Sequence, residues 1–169
     1  MLSSLKVRSA VRQGPRWGTR AAVLTITAVA LTCSTAAFAQ NEGKVKAGLA
    51  AWRNSGCADC HGAFANGEKE RDESPTGADL RRARLSGEEI KLTIRCGRPG
   101  TGMPSFEDGG RGCPSGSGEL YPAPTKLTAE QIDDVVAYLQ ARIIGKGKIT
   151  KQECLLYYTE KPDWCADYN

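Results

Sequence analysis

Cys57-Ala58-Asp59-Cys60-His61 sets two thiols and an imidazole within five residues, the C-x-x-C-H spacing of a covalent haem site. Two thiols three positions apart reach the two vinyl groups of one porphyrin, and the residue that follows then lies under the iron, where an imidazole nitrogen binds axially. His61 is the single histidine of the chain. It is therefore the sole candidate for an imidazole ligand, and none remains for a second haem or for acid-base catalysis. A redox dithiol of the thioredoxin type would need a βαβ context that the flanking residues lack. A structural zinc site would need a second ligand pair, and no further C-x-x-C or H-x-x-H follows.

A partner for the other face of the iron stands at Met103, in Gly100-Thr101-Gly102-Met103-Pro104-Ser105-Phe106. A thioether opposite a histidine is soft, favours ferrous iron and raises the reduction potential, which suits electron transfer. Methionine more often fills gaps in a core, but a glycine-flanked loop ending in proline is a poor place for a filler. The chain has only two methionines, Met1 and Met103.

These residues resemble the class I c-type cytochromes. The resemblance runs from about Glu42 to Ile144 and rests on four features in order: a first helix, the Cys57 to His61 site, the Met103 loop and a last helix carrying an aromatic residue. It implies a small all-α fold wrapped round one covalently attached haem c, with Cys57 and Cys60 in thioether links and His61 and Met103 as axial ligands. It also implies that a proline carbonyl accepts the proton of the second imidazole nitrogen, for which Pro75 is the nearest candidate. The last helix would cross the first near Gly48 and Trp52.

The N-terminal segment reads as an export signal. Lys6, Arg8, Arg12, Arg16 and Arg20 precede an apolar run from Ala21 to Leu31, and Ala37-Phe38-Ala39 offers a small-x-small cleavage site, so the expected mature chain starts at Gln40. The rival is an uncleaved anchor, because Ala21 to Ala39 approaches the lower limit of a membrane span; its threonines count against that. A lipoprotein site at Cys33 is disfavoured by Thr32. Five of the 23 basic residues precede Gln40, which leaves 18 against 19 acidic ones. The basic balance thus belongs to the leader, and no basic run interleaved with aromatics points to nucleic acid.

Residues 40–148 are expected to form one domain, with haem supplying a large apolar body for a chain too short to be comfortable alone. Val45, Gly48, Leu49 and Trp52 mark one face of a helix from Glu42 to Asn54. Gly62 to Thr76 reads as a solvated loop whose mixed charges argue against a dedicated docking patch. A short helix within Ala78 to Leu85 follows. Ser86 with Glu89, and Thr128 with Gln131, are capping-box pairs that open a helix to Arg95 and an amphipathic helix stopped by Gly145. Between them Glu107 to Thr125 is a glycine-, serine- and proline-rich excursion.

Cys96, Cys113, Cys154 and Cys165 form an even set, which in an oxidising compartment means disulfides. Four thiols permit three pairings. The expected one is Cys96 with Cys113 and Cys154 with Cys165, because each closes a short loop. The second would staple a C-terminal extension, residues 149–169, whose Tyr157, Tyr158, Trp164 and Tyr168 either pack on the domain or face a partner; packing is the expectation.

The function expected is that of a periplasmic monohaem one-electron carrier, not an enzyme. Its donor would be a periplasmic dehydrogenase and its acceptor a terminal oxidase or another cytochrome. The Arg95 to Pro104 loop and long tail look similar to cytochromes served by quinone-cofactor alcohol dehydrogenases. The alternatives are a fixed haem subunit of a larger oxidoreductase, or a haem enzyme or gas sensor with an open iron position. A membrane contact is expected only if the leader is retained.

Overall fold

The computed structural model describes residues 39–107, 112–113 and 123–169, and all regular structure among them is helical. The expected export segment up to residue 38, and most of the 107–125 excursion, lie outside the described residues. Helix α1 covers 39–54 and is already helical three residues before the expected Glu42. It is followed by α2 (Cys57–His61), a 3-10 turn at Leu80–Arg82, α3 (Gly87–Cys96), α4 (Ala129–Arg142), α5 (Lys151–Tyr157) and a second 3-10 turn at Pro162–Cys165. No described helix is long and apolar enough to cross a membrane.

Local chemistry sets the starts of three of these helices. Ser86 accepts from the Glu89 amide while the Glu89 carboxylate accepts from the Ser86 amide, and Thr128 with Gln131 does the same at α4. Each box satisfies two of the donors that a helix start leaves open. A third box, Thr150 with Glu153, starts α5. The helix expected within 78–85 contracts to the 3-10 turn capped by Asp79.

The apolar faces then meet. Val45, Ala51 and Trp52 of α1 are buried with Ile132, Val135, Tyr138 and Leu139 of α4 and Ile90 and Ile94 of α3. A Cβ on Gly48 would run into the Asp134 carbonyl and the Tyr138 side chain, so the backbone of α1 lies directly on α4 at that point. The Trp52 and Tyr138 rings meet at 6.2 Å. The α1/α4 crossing is therefore where the resemblance puts it. Helix α3 lies along α4, with Lys91 and Asp133 paired across them at 2.6 Å.

Both expected disulfides are present, Cys96–Cys113 and Cys154–Cys165. The C-terminal extension packs on its own domain, its Cys154, Tyr157 and Cys165 buried. Phe64 lies against Tyr157, Tyr158 and Tyr168 at 5.5–5.7 Å. Part of the Gly62 to Thr76 stretch is thus core and not solvated loop, since Ala63, Phe64 and Ala65 are buried. Arg81, only 3% exposed, donates to the Gly147 and Lys148 carbonyls and to Glu153, and so clamps the start of the extension to the first 3-10 turn.

Two outcomes follow from this packing. Gly48→Ala gains about 1 kcal/mol of helix propensity but drives a methyl into backbone, and overpacking costs about 1–3 kcal/mol; the urea midpoint should fall. Burial alone would raise the Glu153 carboxyl, yet hydrogen bonds from Thr150 and the Arg81 guanidinium outweigh it and hold the group below its ordinary value of 4.5. A depressed carboxylate stabilises the fold fully above that value and loses its contribution as pH falls through the lower folded value. Near-ultraviolet circular dichroism of the tyrosine cluster should show loosening of the extension below about pH 4.5, and Glu153→Gln should abolish that step.

Candidate functional site

The turn of helix that carries both thiols begins at Gly56, in the left-handed region at φ 77°, and closes when the Gly62 amide donates to Ala58. Cys57, Cys60 and His61 are half-buried along it. The cysteines divide cleanly: among the described residues Cys57 and Cys60 are free, and the four others are consumed in disulfides. Burial pushes the Cys57 thiol up to about 12, with the nearby Cys60 and Asp59 adding to it against a hydrogen bond to its own backbone. Cys60 is raised for the same leading reason, with a Ser74 hydrogen bond opposing. The leading effect at both sulfurs is thus burial, the opposite of the electropositive surroundings that lower the pKa of a redox dithiol.

His61 is held from three sides. Its Nδ1 lies 2.9 Å from the Ala78 carbonyl. A carbonyl only accepts, so Nδ1 carries the proton and Nε2 keeps the lone pair that can bind a metal. The acceptor is Ala78 and not Pro75, because the chain is tied back to the attachment turn at Gly77, whose amide donates to the Cys60 carbonyl, and the next carbonyl reaches the ring. Gly77 packs flat against the imidazole, where a Cβ would stand 2.6 Å from Nδ1, and its amide donates to the Cys60 carbonyl at 2.8 Å. The Trp52 ring lies 5.9 Å from that of His61. Burial holds the imidazole below its ordinary value, with the Ala78 contact pulling upward as the smaller effect.

The segment between them is sewn to α2 through backbone. Gly67 donates to the His61 carbonyl, Ala65 to Gly62, and Leu80 to Ala65, all within 2.8–3.0 Å. Met103 lies on a separate loop. It is half-buried and, like Cys57, packs against the hydrophobic core. Its carbonyl accepts from Arg98 and its amide donates to the Thr101 hydroxyl. Gly97, at φ 70°, leaves room for this loop, since a Cβ there would stand 2.7 Å from the Met103 carbonyl oxygen. The far end is tied down by the Phe106 amide on Ile94 and by Lys126 on Ser105.

These residues fit haem c by the chemistry of the set: two thiols free to form thioethers, and one imidazole with the correct nitrogen unprotonated. The buried Trp52 indole N–H has no acceptor among the described residues and leaves a donor for a bound group beside His61. The sequence reading missed Ala78 and Gly77. A backbone carbonyl has no side-chain signature, and the glycine's role shows only once the ring is in place. Gly77→Ala should displace His61 and cost about 1–3 kcal/mol as an overpacking change, read as a lower denaturation midpoint.

The family model for cytochrome c matches residues 45–142, from the first buried residue of α1 to the end of α4. Comparison with curated proteins and with solved structures gave no match. With the matched span covering more than half of the sequence and containing the thiol pair, the histidine and the methionine loop, the chain belongs to the cytochrome c family of haem-bearing electron carriers.

Proposed function

We propose that this chain carries one haem c, attached through Cys57 and Cys60 and ligated by His61 Nε2 and the Met103 sulfur, and that it is an exported single-electron carrier of the periplasm. The observation that supports this most is the His61 to Ala78 hydrogen bond, which leaves Nε2 free beside the two unpaired thiols. Bound haem supplies a one-electron ferric/ferrous couple whose potential is tuned by axial ligand and burial. The chain's own work is to keep the environment fixed as charge comes and goes. Ala78 orients the imidazole and makes it a better electron donor. The Met103 loop is closed by the Cys96–Cys113 bridge, 17 residues apart, which removes about 3 kcal/mol of freedom from the unfolded chain and opposes withdrawal of the sulfur.

The donor we favour is a periplasmic dehydrogenase, of the quinone-cofactor alcohol-oxidising kind, with the respiratory chain downstream. Contact with it should be small and transient. Export with cleavage after Ala39 accords with a haem that is attached outside the cytoplasm, and domain boundaries at 40–148 and 149–169 accompany it.

Met103→Ala tests the ligand assignment. It should erase the weak far-red ferric band of sulfur ligation, lower the potential by roughly 0.1 V or more within the ~0.8 V that axial ligands control, and admit carbon monoxide to the ferrous protein. Rapid carbon monoxide binding by the unaltered protein would favour a haem enzyme or sensor.

A further inference from the structure

The C-terminal extension does more than cover Phe64, because with the 63–70 segment it lines an open concavity. We propose that the open concavity lined by Phe64, Tyr158, Trp164, Tyr168, Glu68 and Glu70 binds a small alkylammonium ion.

The cavity measures about 360 Å³, at the lower end of the range for small-ligand sites. Its walls come from two segments far apart in sequence, 63–70 and 158–168, and the second is fixed by the Cys154–Cys165 bridge. Tyr158 meets Phe64 at 5.7 Å and Trp164 at 5.1 Å, both edge-on, so the rings form a connected wall and not isolated side chains. Aromatic faces with a negative rim attract organic cations.

Charge sorting within the 68–73 run supports the sign. Lys69 turns away to the Asp72 and Ser74 carbonyls, and Arg71 pairs with Asp59. Arg53 donates to the Tyr157 carbonyl. Glu68 and Glu70 have no ion-pair partner among the described residues, and Glu70 is steadied by the Tyr158 hydroxyl at 3.2 Å. The stretch that reads as charge-balanced in sequence therefore contributes only acidic side chains, Glu68 and Glu70, to the lining. Lys161, not one of the lining residues, stands 4.0 Å over the Trp164 ring, so the indole already serves as a cation face on this surface.

An inorganic ion is the poorer occupant. Hard cations need a cage of oxygens, and no group of three His, Cys, Asp or Glu side chains suited to a metal occurs among the described residues.

Ring-proton NMR of the full haem-loaded protein in its ferrous state, titrated with tetramethylammonium chloride, tests this. Trp164 and Tyr168 signals should shift saturably. Sodium chloride at equal ionic strength and tert-butanol, a neutral molecule of similar shape, should not reproduce the shifts. Glu68→Gln with Glu70→Gln should weaken binding at least tenfold, and Trp164→Ala, at a residue 57% exposed and so safe for folding, should abolish it with the haem spectrum unchanged. Absence of saturation, equal shifts with tert-butanol, preference for a lysine-bearing peptide, or unchanged binding in the Trp164 variant would each overturn the proposal. None of these outcomes bears on the ligation of His61 or Met103.

Discussion

The hydrogen bond from His61 Nδ1 to the Ala78 carbonyl is the constraint around which the attachment region is arranged. It fixes the tautomer, and through the tautomer it decides which nitrogen keeps the lone pair that could bind a metal. To make it, the chain must bring residue 78 back over residue 61 after an excursion that includes six consecutive charged residues. The return is possible because the first part of that excursion is not a free loop. Ala63 to Ala65 sink into the core, Gly67 and Gly77 tie to α2 on either side, and Gly77 permits the backbone to lie against the ring. The polar residues between them can then project outward without loosening the contact.

What could be read from the sequence was the part governed by neighbours along the chain. The capping boxes at Ser86 and Thr128 depend on residues three apart, so their helices start where the pattern says. The thiol pair and histidine are likewise a local spacing. The α1/α4 crossing at Gly48 was legible only through resemblance, since small and large residues four apart say that something approaches without saying what. Phe64 was misread because its burial is made by Tyr157, Tyr158 and Tyr168, about a hundred residues later. Periodicity within 62–76 holds no trace of them. The Ala78 acceptor was hidden for a different reason: it belongs to the backbone, which every residue has.

The extension is attached by groups of unequal weight. Its aromatic contacts with Phe64 bury large apolar surfaces, the term that drives docking. The Arg81 clamp works differently. A buried guanidinium is costly to desolvate, and replacing such a pair by apolar residues is often neutral or better for stability. Its contacts with the Gly147 and Lys148 carbonyls are directional, however. Arg81 thus selects one register for the extension, and the tyrosines hold it there.

The two disulfides act on different problems. Cys154–Cys165 is buried and joins α5 to the turn that follows, so it stiffens a segment too short to fold alone. Cys96–Cys113 ties the end of α3 to the far side of the Met103 loop. That loop already has backbone ties at Arg98 and Phe106, a glycine called for both by its positive φ and by the nearness of the Met103 and Pro104 backbone, and the Arg95–Glu107 ion pair at 2.8 Å across its base. A surface ion pair is worth little alone, and each hydrogen bond contributes about 1 kcal/mol. A covalent closure outside them changes the kind of restraint. If the noncovalent ties open together, the loop can move only as far as the bridge allows, and the local search for its closed position stays short. On the proposed ligation, that restraint would return Met103 to the iron after each opening, a property that suits an electron carrier.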